Sequence, residues 1–166
     1  MNKEPNETVY QVGYQDGTQE WFQDGHWHRI GGPAVERADG TKGWFQHGER
    51  HRLDGPAVEY ADGGREWWQN GVRHRIGGPA IDLADTTKEW WENGQFHRVG
   101  GPAVERADGT EAWFENGQLH RVDGPAVRHA NGSEEWWVHG RRKYEGKARY
   151  RVRQWYHHKF EHEEHT

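Results

Sequence analysis

Ala61-Asp62-Gly63-Gly64-Arg65-Glu66-Trp67-Trp68-Gln69-Asn70-Gly71-Val72-Arg73-His74-Arg75-Ile76-Gly77-Gly78-Pro79-Ala80-Ile81-Asp82-Leu83 is one copy of a 23-residue unit, and reading that unit decides the fold. Working outward, Trp21, Trp44, Trp67, Trp90, Trp113 and Trp136 recur at this interval. So do His28, His51, His74, His97 and His120, and the Arg that follows each of them. A Gly-Pro-Ala element closes five copies, at Pro33, Pro56, Pro79, Pro102 and Pro125. The pattern A-D-G-x-x-x-W-[FW]-x-[NDH]-G-x-x-H-R-x-[DG]-G-P-A-[VI] holds from residue 15 to about 146 without an insertion. A fixed period of this length is the signature of a stacked repeat protein.

Composition agrees. Leu, Ile and Val total only 17 of 166 residues, while Trp alone occurs 11 times. With so few aliphatics, a helical bundle or doubly wound α/β fold is excluded. Aromatic rings, which bury roughly 150–250 Å² each, can supply the apolar area instead. The net charge of −5 is too small for a repelling, disordered chain. Zero Cys excludes disulfides, Cys-ligated zinc and thiol chemistry, and fits a reducing, cytoplasmic setting. No apolar run is long enough to span a membrane, and the first residues carry no signal-peptide core.

Each copy holds two turn signals. Asp-Gly or Asn-Gly occurs at Asp16-Gly17, Asp39-Gly40, Asp62-Gly63, Asp108-Gly109 and Asn131-Gly132. Eight residues later come Asp24-Gly25, His47-Gly48, Asn70-Gly71, Asn93-Gly94, Asn116-Gly117 and His139-Gly140. Both predict two-residue hairpin turns with positive φ at the two central residues. Copy four has Asp85-Thr86 in place of Asp-Gly and is expected to hold the weakest turn. Between the turns runs a Trp-bearing strand, and Ala57-Val58-Glu59-Tyr60 is the second arm. The expected fold is all-β: an elongated single-layer stack of β-hairpins, about 5.5 copies long. A β-solenoid with one coil per copy is the alternative. Residues 1–14 then form a lead-in, 15–146 the six copies (the last partial), and 147–166 a terminal cap and tail.

At this point the chain resembles the MORN family, whose repeat also has 23 residues. The likeness covers about 80 % of the chain and is carried best by Asn70-Gly71-Val72-Arg73-His74 and Asn93-Gly94-Gln95-Phe96-His97. Arg75 and Arg98 stand where that family usually has Gly after the His, and G-P-A is an added element. The H-R-x-D-G-P-A pattern is also similar to uncharacterised repeat proteins of bacteriophages and large viruses. The first resemblance implies a hairpin stack and association with phospholipid surfaces. The second implies a viral sponge or inhibitor that sequesters a host factor or a nucleotide-like ligand.

Four rows could carry function. The His row (His28, His51, His74, His97, His120) cannot share a metal ion between equivalent positions. Successive copies are ~10 Å apart, two strand spacings, and zinc needs ligands within ~2.1 Å; a structural role bonding loop backbone is expected. The invariant Trp row (Trp21, Trp44, Trp67, Trp90, Trp113, Trp136) is expected to be the core. The Arg row either stacks on Trp and pairs with Glu36, Glu59, Asp82 and Glu105, or grips an anion. The variable aromatic beside each Trp either packs or stacks on a ligand. For binding, the central residues Arg52, Arg75, Arg98, Phe45, Trp68 and Trp91 are the candidates.

The C-terminus breaks the period. Residues 147–160 alternate apolar and basic side chains, which predicts a capping strand or a basic contact site. From Arg141 to Arg153 there are seven basic residues and one acidic. The sequence pI of 6.2 nonetheless argues against general nucleic-acid binding. His157, His158, His162 and His165 resemble an adventitious metal-binding tail, so no metal site and no cofactor are assigned. Equal repeated groups lack the single asymmetric constellation of an active site, so no catalytic residue is named. The expected function is a non-catalytic binding module or scaffold for a protein or anionic ligand, with self-association possible through the stack ends.

Overall fold

The structure is a computed structural model and describes residues 9–143. All its regular elements are β-strands. Fourteen strands make one sheet, thirteen on a continuous path and His26–Trp27 paired to its side. Every pairing is antiparallel. In copy two, Val58–Glu59 lies between Lys42–Gly43 and Arg65–Glu66, with Val58 opposite Gly43 on one side and Glu66 on the other. Successive copies repeat this register, as at Ile81–Asp82 between Arg65–Glu66 and Lys88–Glu89. A solenoid would stack equivalent strands in parallel, so the fold is the hairpin stack. Two strands per copy advance it by ~10 Å.

The Trp strand contributes to two ladders. Lys42–Gly43 belongs to the main sheet, but beyond Trp44 the segment Phe45–Gln46 pairs with Glu49–Arg50 in a separate two-stranded sheet. Copies three to five repeat the split. In copies one and six the strand runs unbroken, Gln19–Gln23 and Glu134–Val138. Trp44 sits at the changeover: its amide donates to the Ala57 carbonyl at 2.8 Å, and its carbonyl accepts from His51 N–H at 3.1 Å. Side chains of the small hairpins pack against the main sheet. Phe45 clusters with Ala34, Val35 and Trp27, and Phe114 packs with Val104, Ala112 and Val127. The hairpins also bond to one another, Gly71 N–H to the Arg50 carbonyl and Arg52 N–H to the Trp68 carbonyl, both at 3.1 Å. The hairpin stack therefore carries a second row of short hairpins beside its main sheet.

The two turn classes differ. The inner turns have positive φ at both central residues, as at Asn70 (48°) and Gly71 (72°), which is the two-residue primed hairpin. The outer Asp-Gly turns are three-residue loops, a correction to the sequence expectation. Gly40 N–H bonds the Arg37 carbonyl and Arg37 N–H bonds the Thr41 carbonyl, at 2.9 and 2.8 Å, with only Gly40 at positive φ (92°). This is a type I turn closed by a left-handed residue. The Asp serves as an acceptor: Asp39 Oδ1 takes the Thr41 amide at 2.8 Å.

The core also differs from expectation. Its fully covered residues are Ala34, Ala57, Ala80, Ala103 and Ala126, each with its neighbouring Val or Ile. The six invariant Trp are half-buried. In a sheet this thin, the small Pro-Ala-Val arm lies between strands on both sides, while a large indole reaches the edge of the layer. At the N-terminus, Tyr10–Gly13 pairs with Gln19–Gln23 and fills the place of the Val-Glu arm of a preceding copy. The cap and tail expected over 147–166 lie outside the described residues.

Candidate functional site

Each Arg after the His is spent inside its own copy. The Arg52 guanidinium carbon lies 4.1 Å from the Trp44 ring centroid. Its Nη1 donates to the Pro56 carbonyl and to Glu59, both at 3.1 Å, and its Nε to Asp54 at 3.0 Å. Bonding to Arg52 holds the Asp54 carboxyl below its usual range. Arg98 repeats the arrangement over Trp90 (3.6 Å), with Pro102 at 2.8 Å and Glu105 at 2.6 Å. Arg75 stacks on Trp67 at 3.7 Å and bonds Pro79 at 2.9 Å. Its acid is Asp82, one methylene shorter, whose charge acts on Arg75 without outweighing burial, which lowers the Arg75 pKa. The glycine before each proline follows from this clamp, because a Cβ on Gly55, Gly78 or Gly101 would lie 2.9 Å from the guanidinium carbon.

The His row joins copies. Nδ1 of His28, His51, His74, His97 and His120 accepts the backbone amide of residue 47, 70, 93, 116 or 139, at 3.1–3.3 Å. At His28, His74, His97 and His120 this bond places the ring proton of the neutral imidazole on Nε2; His51 Nδ1 also lies 2.8 Å from the Asn70 side-chain oxygen, which calls for a proton on Nδ1. The partner is always the inner turn of the next copy.

The variable aromatics form an internal ladder along the hairpin row. Arg50 lies between Phe45 (5.7 Å) and Trp68 (5.2 Å), Arg73 between Trp68 (4.8 Å) and Trp91 (5.2 Å), and Phe96 between Trp91 (3.7 Å) and Phe114 (4.8 Å). Phe45 is buried and Trp68 and Trp91 are half-buried. Beneath them runs a matching rule. Trp68, Trp91 and Trp137 donate their indole N–H to Glu66, Glu89 and Glu135, two residues earlier, at 2.7–2.9 Å. Where the aromatic is Phe45 or Phe114, that position is Gly43 or Ala112, and a Cβ at Gly43 would meet the Phe45 ring at 2.7 Å. Copy one departs: Glu20 stands under Phe22 and takes the Tyr14 hydroxyl at 2.9 Å.

The row that faces outward is one that sequence reasoning passed over. The residue after each Arg is Ile30, Leu53, Ile76, Val99 or Val122, exposed by 83, 75, 79, 88 and 49 %. The signal was present: the x of H-R-x is aliphatic in all five copies of a chain that has only 17 such residues. The structure thus brings the predicted Arg and invariant Trp together in clamps, and Phe45, Trp68 and Trp91 together in the ladder. It leaves a third, aliphatic row uncovered beside the clamps. No family model matches the chain, and no curated protein matches it.

Proposed function

We propose that the protein is a non-catalytic, MORN-like repeat module that docks a protein partner along Ile30, Leu53, Ile76, Val99 and Val122. The observation that carries this reading is the exposure of one aliphatic side chain per copy in a chain poor in aliphatics. Exposed apolar groups scattered singly need no explanation, but an ordered set of them marks an interaction surface. Fully covering one such side chain is worth about 1.5–3 kcal/mol, and several on one rigid rail act together. Arg52, Arg75 and Arg98 are half-buried against Trp44, Trp67 and Trp90, whereas the aliphatic row stands exposed to solvent, so the favoured partner is apolar in its contact residues. The clamp serves the row by fixing the backbone on which it stands.

The test replaces Leu53, Ile76 and Val99 together with Ser. Thermal unfolding of the variant should match the parent, because these side chains touch little. A photo-crosslinking residue at position 30, placed in both the parent and the triple variant, should trap one stoichiometric protein in the parent and none in the variant. A partner that binds the triple variant equally well, or a native mass spectrum showing a retained nucleotide in place of a protein, would overturn the proposal.

A further inference from the structure

The ~10 Å spacing between copies keeps equivalent histidines from sharing an ion, but a second ligand can come from the next copy's inner turn, 19 residues on. That turn carries Asn in copies three to five and His in copies two and six. Two imidazole pairs result, His28 with His47 and His120 with His139, with ring centroids 4.6 and 4.2 Å apart. The third neighbour separates them. It is Gln23 at the first pair and Glu115 at the second. Glu115, His120 and His139 each place one ligand atom within 4.8 Å of the others. His120 Nε2 and Glu115 Oε2 are 3.4 Å apart, about the edge of a tetrahedron built with zinc–ligand bonds near 2.0–2.1 Å.

We propose that Glu115, His120 and His139 form a zinc site bridging copies five and six. Two imidazoles and a carboxylate are a ligand set that zinc accepts, with the fourth position open to water. Glu115 and His139 are exposed, so the ion enters from solvent. One cost is specific to this geometry. Nδ1 of His120 holds the His139 amide at 3.1 Å, which keeps the ring proton on Nε2. Zinc at Nε2 displaces that proton to solvent, and the ring takes a proton at Nδ1 in exchange. The His139 amide then loses its acceptor. Binding is therefore weaker than in a preorganised site and loosens one inter-copy bond while it adds a metal bridge.

The experiment uses the full-length chain with His157, His158, His162 and His165 changed to Gln, so that tail binding cannot contribute. Zinc chloride titrated by calorimetry should bind at one equivalent. His139→Asn restores the residue that copies three to five carry at this turn, so the fold is kept, and it should weaken zinc binding at least tenfold. Glu115→Gln should do the same. His47→Asn, at the pair that lacks the carboxylate, should leave binding unchanged. Hydrogen exchange supplies an independent reading: zinc should speed exchange of the His139 amide and leave the Asn116 amide, held by His97, as it was. Absence of one-equivalent binding in the tail-substituted parent, or binding that survives His139→Asn, would overturn the proposal.

Discussion

At the scale of single residues, small glycines and large indoles are two halves of one device. Gly78 has ordinary backbone geometry and is small because Arg75 occupies the space a Cβ would need. Gly78→Ala should therefore cost about 1–3 kcal/mol through overpacking. The same change made in an Arg75→Ala background should be nearly neutral, and a double-mutant cycle in urea measures the difference. The Glu-under-Trp rule makes a second prediction. Trp68→Phe leaves the buried Glu66 carboxylate with one donor fewer and should cost about 1.5–3 kcal/mol. Adding Glu66→Ala copies the Ala112–Phe114 pairing, so the double variant should lose less than the two single losses added. Equal additivity at these two neighbours would mean the indole bond is idle. The second rule stands in the sequence as a correlated pair, 66 with 68, and the first as two invariant positions, 75 and 78. They were not legible because a single copy shows neither; only the fold reveals which pairs touch.

Turns set the behaviour of the strands they join. Thr86 takes the left-handed place that Gly holds in the other outer turns, at φ 75°. A β-branched residue there is strained by roughly 1–2 kcal/mol, part of which is offset by the flexibility a glycine would bring to the unfolded chain. Thr86→Gly should stabilise the protein by about 1 kcal/mol in chemical denaturation. The outer-turn aspartates make stability sensitive to acid. The Thr41 and Thr110 amides hold the Asp39 and Asp108 carboxyls below the usual range, and bonds from His129 and Trp137 do so for Glu135. A carboxyl lowered in the fold contributes above its unfolded value, near pH 4, and the contribution disappears as pH falls through the folded value. The urea midpoint should drop below pH 4, and Asp39→Asn with Asp108→Asn should flatten that drop. Turn positions were readable from Asp-Gly and Asn-Gly pairs. Turn type was not, because the outer loop is fixed by the Thr amide and carbonyl, which no dipeptide rule contains.

For the whole molecule, stability is set by neighbours. A middle copy is held on both sides by backbone ladders and His connectors, whereas copy one is held by one full copy and the short Tyr10–Gly13 strand. Trp67→Ala should then lower the unfolding free energy more than Trp21→Ala, as expected for a one-dimensional stack. Equal losses would point to a cooperative globule instead. The period and the hairpin stack were legible because repetition amplifies weak local signals six times. The separate row of short hairpins was not, since a strand that changes ladders at Trp44 has the same alternation as one that does not.

One consequence of the His connectors concerns how such a chain can change length. Most hydrogen bonds between copies are made by backbone groups and by a histidine and a threonine that recur, as in Ala61 N–H to Thr41 Oγ1 and Asn70 N–H to His51 Nδ1; Tyr60 O–H to Glu66 and His129 to Glu135 are particular to their junctions. The matches of Arg52 with Glu59 and Trp68 with Glu66 close within one copy, while the ladder of Arg50, Arg73 and Phe96 reaches the aromatic of the next copy. Each unit is thus a cassette whose joints are mostly standard connectors, with one aromatic contact that any neighbouring Phe or Trp can meet. Excising residues 60–82 joins Glu59 to Leu83 in phase, and the shortened chain should keep its β circular dichroism and melt cooperatively at a lower temperature. In a gene built this way, duplication or loss of a cassette changes the length of the exposed aliphatic row while the backbone and histidine joints still fit.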